Sequence, residues 1–433
     1  MSLNNLILLS GRKKSTIYTD VNKHYVYKVF NNIYKSYIIH NWLKEIIFLK
    51  NIKHENIINL IDYNVNIDEH KVIIIYPYYN CIAQKNIFTD ADINICLNGL
   101  FNGLEYCHFM GILHKDIKPS NLFYIADDMG MINKLIIGDF GLSSINVLEY
   151  SRNNHFVFSY THCAPEIFIG NKGYTIKSDI WACGICLIYF MTGMSLYDLS
   201  IHDSYFITLY DDYLKTVNFE KRKNNDVVRK IMKELHQILV TDRCFKEKII
   251  NLACSKRRSY TRSDTLFIGF YNILLNNMLE QNPNDRIDIK DIQLLVSNYF
   301  TPLFSHDILT TYTKRTIYLF DWIESISLDE TTDRNIMKTL NAYITYDNIT
   351  LIQKRFLINK TIKLIELYSK FNNSLKDDDI LLCLQIILLL GFSDQFIINK
   401  EILYNIPKVI QTKVIKNIIE KCDFLFMIPN IFT

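Results

Sequence analysis

The octet His114-Lys115-Asp116-Ile117-Lys118-Pro119-Ser120-Asn121 restricts the folding of this chain more than any other feature. Apolar triplets bracket it, Gly111-Ile112-Leu113 before and Leu122-Phe123-Tyr124 after. A polar segment between two apolar anchors predicts a loop held rigid, with its side chains converging on one spot. A carboxylate, a lysine and a carboxamide follow one another within it. Asp can take a proton from a hydroxyl, Lys can neutralise an anionic group in transit, and Asn can ligate a hard cation.

The rest of the chain bounds what that loop can serve. At 433 residues and 51.2 kDa there is room for two or three domains and a large buried core. A hydrophobic share of 49% excludes disorder, and a net charge of +3 is too mild to argue for nucleic-acid or membrane binding. The ten cysteines have no framework spacing and predict reduced, intracellular thiols. Cys183 and Cys186 form the one C-x-x-C; their apolar run Trp181–Met194 predicts a buried helix rather than a redox or zinc site. The stretch Leu6–Leu9 is too short for a signal peptide, and its basic residues Arg12, Lys13 and Lys14 follow it. Trp181–Met194 and Leu381–Phe392 fall short of the roughly 20 apolar residues that span a bilayer. The expectation is a soluble protein of the cytoplasm or nucleus, with no membrane or nucleic-acid partner.

Short β-rich runs are predicted at Ile17–Thr19, Tyr25–Phe30 and Val72–Tyr76. Tyr37–Ile52 sets Ile39, Leu43, Ile46, Ile47 and Leu49 at helical spacing. After Pro77 the pattern turns mainly helical, with an amphipathic stretch at Ala91–Met110 and a strand and turn at Lys134–Gly141. Between Asp198 and about Thr265 the pattern is less clear. Its basic clusters, Lys221-Arg222-Lys223 and Lys256-Arg257-Arg258 with Arg262, predict solvated faces, a docking or nuclear-import patch being the alternative. From Leu303 onward no strand-like run stands out, and Thr311–Phe432 predicts five or six helices.

Further motifs occur in a fixed order around the octet. Tyr25-Val26-Tyr27-Lys28 is a strand ending in lysine, and Glu45 opens Glu45-Ile46-Ile47-Phe48-Leu49-Lys50, followed by His54-Glu55-Asn56-Ile57. Asp139-Phe140-Gly141 follows the strand Lys134–Ile137, and Ala164-Pro165-Glu166 comes next. Ser178-Asp179-Ile180-Trp181-Ala182-Cys183-Gly184 and Asn282-Pro283-Asn284-Asp285-Arg286 complete the series.

On these motifs, residues 1 to about 303 resemble a eukaryotic-type protein kinase, with Lys118 in the serine/threonine pattern. Gly103-Leu104-Glu105-Tyr106-Cys107-His108 and Ile117-Lys118-Pro119 lean toward cyclin-dependent kinases. The resemblance implies an α+β fold of two lobes: a small antiparallel-sheet lobe over 1–80 and a large helical lobe over 81–303. An all-α domain over 304–433 would follow. It also implies ATP and Mg²⁺ as cofactors and a protein substrate. Asp116, Lys118 and Asn121 would be catalytic, and Asn121 and Asp139 would hold the metal. Lys28, paired with Glu45, would anchor the phosphates, and Gly11, Ile17, Val26, Tyr76, Tyr78, Phe123 and Asp139 would complete the nucleotide site. Glu166 expects Arg286 as its partner, and Asp179 expects hydrogen bonds from the catalytic-loop backbone.

The chain also departs from the family pattern. Ser10–Tyr18 carries one glycine, Gly11, where kinases like three; Lys13 and Lys14 are either substitutes in charge or solvent-facing. Val26 replaces the usual Ala, and Tyr76 falls at the gatekeeper position. Lys115 stands where regulated kinases carry an Arg that grips an activation-loop phosphate bidentately. The matching phosphosite is near Asn154, which cannot be phosphorylated, leaving Tyr150 and Ser151 as candidates. Cys163 replaces an Arg tied to proline-directed specificity, and Ser159 replaces a threonine.

In the C-terminal region, Arg315, Asp321-Trp322-Ile323, Glu330-Thr331 and Ile362–Phe371 faintly resemble a cyclin box; a generic helical interaction domain is the alternative. A regulatory protein bound there, or the domain itself docked on the helix carrying Glu45, would account for a dispensable loop phosphorylation. Two functions are expected from different classes. One is an active Ser/Thr kinase; the other is a pseudokinase scaffold, supported by the poor glycine loop alone.

Overall fold

The computed structural model describes residues 6–11, 15–33, 36–85, 87–145, 160–169, 173–216, 225–257, 265–300, 351–369, 377–391 and 408–421. Five strands build one antiparallel sheet: β1 (Ile7–Gly11), β2 (Thr16–Thr19), β3 (Tyr25–Asn31), β4 (Asp62–Asn66) and β5 (Lys71–Pro77), in the order β1-β2-β3-β5-β4. Helix α1 (Ser36–Asn51) lies between β3 and β4 in sequence. Of the residues the sequence sets at helical spacing, Leu43, Ile46, Ile47 and Leu49 are buried, and near the helix end Asn51 donates to the Ile47 carbonyl at 2.6 Å.

Two of these strands were not expected. Asp62-Tyr63-Asn64-Val65-Asn66 is rich in residues that disfavour strands, and it is extended because every residue pairs with one of Lys71–Ile75. Ile7–Gly11 carries exposed Ile7, Leu8 and Leu9 and forms the edge of the sheet against β2.

Beyond Pro77 come β6 (Asn80–Cys81), α2 (Asp90–Phe109), β7 (Ile112–Leu113), β8 (Leu122–Ala126), β9 (Ile132–Ile137) and β10 (Ser144–Ile145). Thr89 caps α2 in a reciprocal box: Asp92 N donates to Thr89 Oγ1 at 3.1 Å and Thr89 N to Asp92 Oδ2 at 3.0 Å. Helix α2 lies close on β9 because two of its residues lack side chains. A Cβ on Gly103 would sit 2.8 Å from Ile137 Cδ1, and one on Gly99 would sit 3.0 Å from the Leu135 Cβ.

The helices that follow are α3 (Pro165–Ile169), α4 (Ile176–Thr192), α5 (Leu196–Ser200), α6 (Ser204–Thr216) and α7 (Asn225–Thr241). Then come α8 (Phe245–Ser255), α9 (Thr265–Met278) and α10 (Ile289–Phe300). The described parts of the stretch after Asp198 are thus mainly helical. Helix α4 is buried nearly all round, Cys183 and Cys186 included, as its apolar run predicts. Gly193 ends it at φ +67°. One basic cluster departs from expectation. Arg257 is not simply solvated, because it pairs with Asp90 at the start of α2 and lies over the Tyr271 ring. Arg258, Arg262 and Lys221–Lys223 lie outside the described residues.

Past residue 300 the described elements are helices α11 (Leu351–Ser369), α12 (Asp377–Gly391) and α13 (Lys408–Lys421). The segments holding Arg315, Asp321–Ile323 and Glu330-Thr331 lie outside the described residues. Among the described residues no helix is long and apolar enough to cross a membrane.

One buried ion pair ties the end of the 160–169 segment to the helical body. Arg286 donates to both Glu166 oxygens, at 2.9 and 3.0 Å, and also to the Glu280 and Lys177 carbonyls. Its guanidinium lies 5.1 Å from the Trp181 ring centroid, and Ser178 donates to Glu166 at 2.8 Å. Every polar atom of the pair has a partner, so removing one half strands a charge. Arg286→Ala is expected to lower the unfolding free energy by about 3–5 kcal/mol in urea denaturation. Arg286→Lys should recover only part of it, since an ammonium cannot form the two-pronged contact.

Candidate active site

The octet is held from beneath by Asp179, in the first turn of α4. Its carboxylate accepts hydrogen bonds from the backbone N–H of His114 and of Lys115, both at 3.0 Å, from Tyr174 Oη at 2.8 Å and from His108 Nε2 at 2.9 Å. Burial pushes this carboxyl up, but the bond and charge of His108, with Tyr174, outweigh it and hold Asp179 below the usual range. The backbone bonds match the expectation for Asp179; His108 and Tyr174 were not foreseen. Lys115 is left-handed, at φ +67°, and its ammonium lies 5.9 Å from the Tyr174 ring centroid. That backbone form costs about 1–3 kcal/mol for a residue with a Cβ and persists because its N–H is tied to Asp179.

His114 links the octet to the segment after β9. Its Nε2 lies 3.2 Å from the Gly138 carbonyl, and its Nδ1 accepts the Asp116 N–H at 3.3 Å. The two contacts select the tautomer with the proton on Nε2. Burial lowers the His114 pKa, which keeps Nδ1 free to accept. The Phe140 ring meets the imidazole edge-on at 4.8 Å.

Asp116, Lys118 and Asn121 form one bonded group. Lys118 Nζ lies 2.9 and 2.7 Å from the two Asp116 oxygens. Asn121 Nδ2 donates to the Asp116 carbonyl at 2.8 Å and to its Oδ2 at 2.7 Å. Burial raises the Asp116 carboxyl pKa and prevails over the opposing pull of Lys118, making this carboxylate more basic than an ordinary aspartate. Gly138 N donates to the Asn121 carbonyl at 2.9 Å, which fixes the next residue, Asp139, relative to the group.

Lys28 organises a second group. Its ammonium lies 2.7 Å from Glu45 Oε2 on α1 and 2.9 Å from Asp139 Oδ1. Tyr76 Oη donates to Glu45 Oε1 at 2.6 Å, a contact the sequence did not announce. Burial favours a neutral Lys28, but the Asp139 and Glu45 carboxylates override it and raise its pKa. Burial likewise favours a neutral Asp139, and the Lys28 ammonium overrides it to hold that carboxyl well below the usual range. Burial raises Glu45 despite Lys28, and it keeps the Tyr76 phenol protonated and donating. Asp139 has φ +64°, a second left-handed residue with a Cβ within the site.

The remaining expected residues divide by position. Ile17 pairs with Lys28 and Val26 with Tyr76, so the pleat puts Ile17, Val26, Lys28 and Tyr76 on one face of the sheet. Phe123, on β8, lies against the turn before Asp139: a Cβ on Gly138 would meet its ring at 2.8 Å. Tyr78 follows β5, its N–H bonded to the His24 carbonyl at 2.9 Å and its ring beneath Lys23. Gly11 ends β1, with nothing within 4 Å of where a Cβ would lie. Lys13, Lys14, Tyr150, Ser151, Asn154 and Ser159 lie outside the described residues.

At the far side, Tyr160–His162 lead into Cys163 and α3. His236 of α7 is buried beside the Phe168 ring, and its Nε2 finds no hydrogen-bond partner among the described residues. Burial pushes its pKa down to about 4. Burial, aided by His236 and Lys118, pushes His162 down to about 3.

Residues 10–300 match the family described as "Protein kinase domain". The chain is 34% identical over 162 residues to the mitosis inducer protein kinase cdr2 of Schizosaccharomyces pombe, covering 36% of this chain and 20% of that one. It is 31% identical over 161 residues to the cell division control protein 2 homolog 3 of Trypanosoma brucei brucei, covering 36% of this chain and 50% of that one. A serine/threonine-protein kinase of Drosophila simulans is 32% identical over 157 residues, with 34% and 20% covered. The matched region spans a fifth to a half of the length of these relatives.

The buried histidines give the fold a directional pH response. An unfolded imidazole takes its proton near 6.5, whereas folded His236 stays neutral down to about 4. The stability it contributes is therefore complete above 6.5 and lost as pH falls toward 4. In that window one such group steepens the loss by about 1.4 kcal/mol per pH unit. Urea denaturation from pH 7 to 4.5 should show a shallower loss in His236→Phe than in the wild type.

Proposed function

The chain belongs to the protein kinase family, and from that membership we propose that it is a serine/threonine kinase. It would transfer the γ-phosphoryl of Mg-ATP to a hydroxyl of a protein substrate. The observation that carries this is the junction of two bonded groups. Asp116, Lys118 and Asn121 are tied through the Asn121 carbonyl to Gly138, and the next residue, Asp139, is bonded to Lys28. We take residues up to 80 as the small lobe, 81–303 as the large lobe and 304–433 as a helical unit. The cytoplasm or nucleus is the proposed location.

The roles follow from the charges. Asp116, more basic than usual, would orient the acceptor hydroxyl and take its proton. Lys118, already beside Asp116, would offset charge on the phosphoryl group as it passes, and its position two residues after Asp116 favours a serine or threonine acceptor. Lys28, kept charged by Glu45 and Asp139, would hold the phosphates, with Ile17, Val26, Tyr76, Tyr78 and Phe123 around the base and Gly11 at the phosphate loop.

The donor chemistry fits magnesium. Asp139 offers an ionised carboxylate, and Asn121, whose Nδ2 is committed to Asp116, has its Oδ1 left to offer. Two hard oxygen donors suit an ion that keeps waters and substrate phosphates in its shell. Bound there, it would neutralise charge on the β- and γ-phosphates.

Asp116→Asn is expected to lower the turnover of a generic basic protein substrate by about 10²–10⁴-fold. It should leave intact the thermal shift given by Mg-ATP, about 2.7 kcal/mol of stabilisation at 100 times the dissociation constant. Undiminished transfer by Asp116→Asn would refute the assignment. A wild type with neither shift nor turnover would instead point to a scaffold.

A further inference from the structure

We infer that the C-terminal helices are a built-in clamp that holds α1 and the segment after Asp139 in the arrangement that bonds Lys28 to both carboxylates. This inference rests on the kinase reading of the site for its functional consequence, but not for its structural content. The starting observation is the burial of α1. Eight consecutive residues, Trp42–Leu49, are all buried, Lys44 and Glu45 among them. A helix that merely lies on a sheet buries one stripe; one buried all round must be covered from a second side.

The second cover is supplied by residues far along the chain. Helix α12 packs against α1 and also against β10. The two elements it touches lead to the two carboxylates: α1 carries Glu45, and β10 follows Asp139 after the short turn Phe140–Leu142. That turn itself packs on α1, where a Cβ on Gly141 would lie 3.4 Å from the Asn41 carbonyl. One helix thus braces both partners of Lys28. Helix α13, which packs on α12, adds a polar tie at the end of α1: Lys50 Nζ donates to the Ile419 carbonyl at 2.5 Å, with its ammonium over the Tyr63 ring of β4.

The direction of the effect follows from the bonded state. With the helices seated, Lys28 reaches Glu45 at 2.7 Å and Asp139 at 2.9 Å. Unseating them exposes an apolar face of α1 and frees it to turn Glu45 away. The clamp is therefore an activating element.

Hydrogen exchange and steady-state kinetics on the full-length chain test this together. Ile386→Asp places a charge on the buried part of α12. Lys50→Glu removes the bond to Ile419 and sets a carboxylate near Glu420. Both variants are expected to speed exchange in residues 36–51 at least about 10-fold and to lower kcat/KM by at least about 10-fold. If α12 and α13 lose protection in Ile386→Asp while α1 keeps the wild-type rate, the clamp is refuted. If Ile386→Asp abolishes cooperative unfolding, Lys50→Glu decides, and wild-type exchange in α1 would refute the clamp. A wild type that transfers no phosphate would overturn the kinase reading, while α1 exchange would still decide whether the clamp exists.

Discussion

The buried carboxylate of Asp179 is the point on which the geometry of the octet depends. It sits at the first turn of a helix, where the aligned backbone dipoles favour an anion, and it is surrounded by four donors. Two of those donors are backbone groups of the octet, so the loop's path is set by a charge that cannot move. The left-handed Lys115 is the conformational cost of that path. From there the constraint passes to His114, whose tautomer is fixed by Gly138 and Asp116, and so to Asp139 and Lys28. A rigid support beneath a polar loop lets short-range charges be placed to a few tenths of an ångström, which electrostatic catalysis requires.

The same economy explains how titratable groups are handled. Burial alone would neutralise Lys28, Asp139 and Asp179, and each is kept charged by a specific partner. Asp116 and Glu45 are the exceptions, raised because burial outweighs the ammonium beside each. A basic carboxylate and a strongly ionised one, joined through Asn121 and Gly138, divide two tasks between residues of the same type.

Much of this was legible in the chain. The helical period of Tyr37–Ile52, the apolar run behind Cys183 and Cys186 and the order of the motifs all appear in the structure as expected elements. The pairs Lys28–Glu45 and Glu166–Arg286 form as the family resemblance implied. What escaped notice had no local signal. Asp62–Asn66 is a strand only because β5 lies beside it. Arg257 looked like one of a solvated run until Asp90, 167 residues earlier in the chain, supplied a partner. Tyr76 was expected at the nucleotide site, but its bond to Glu45, like the bonds of His108 and Tyr174 to Asp179, has no signal until the carboxylates are in place.

The sequence by itself determined which chemical groups are present and the order in which they occur, because motif spacing and hydrophobic period are properties of neighbouring residues. Tertiary structure alone decided which groups meet, and therefore which carboxylates are basic and which remain ionised. It also decided what covers α1. Residues Ser36–Asn51 carry no signal of the helix more than 300 residues later that lies on them; only the faint resemblance of the C-terminal region raised such a docking. Packing between distant segments is written in shape and burial, and those exist only once the chain has folded.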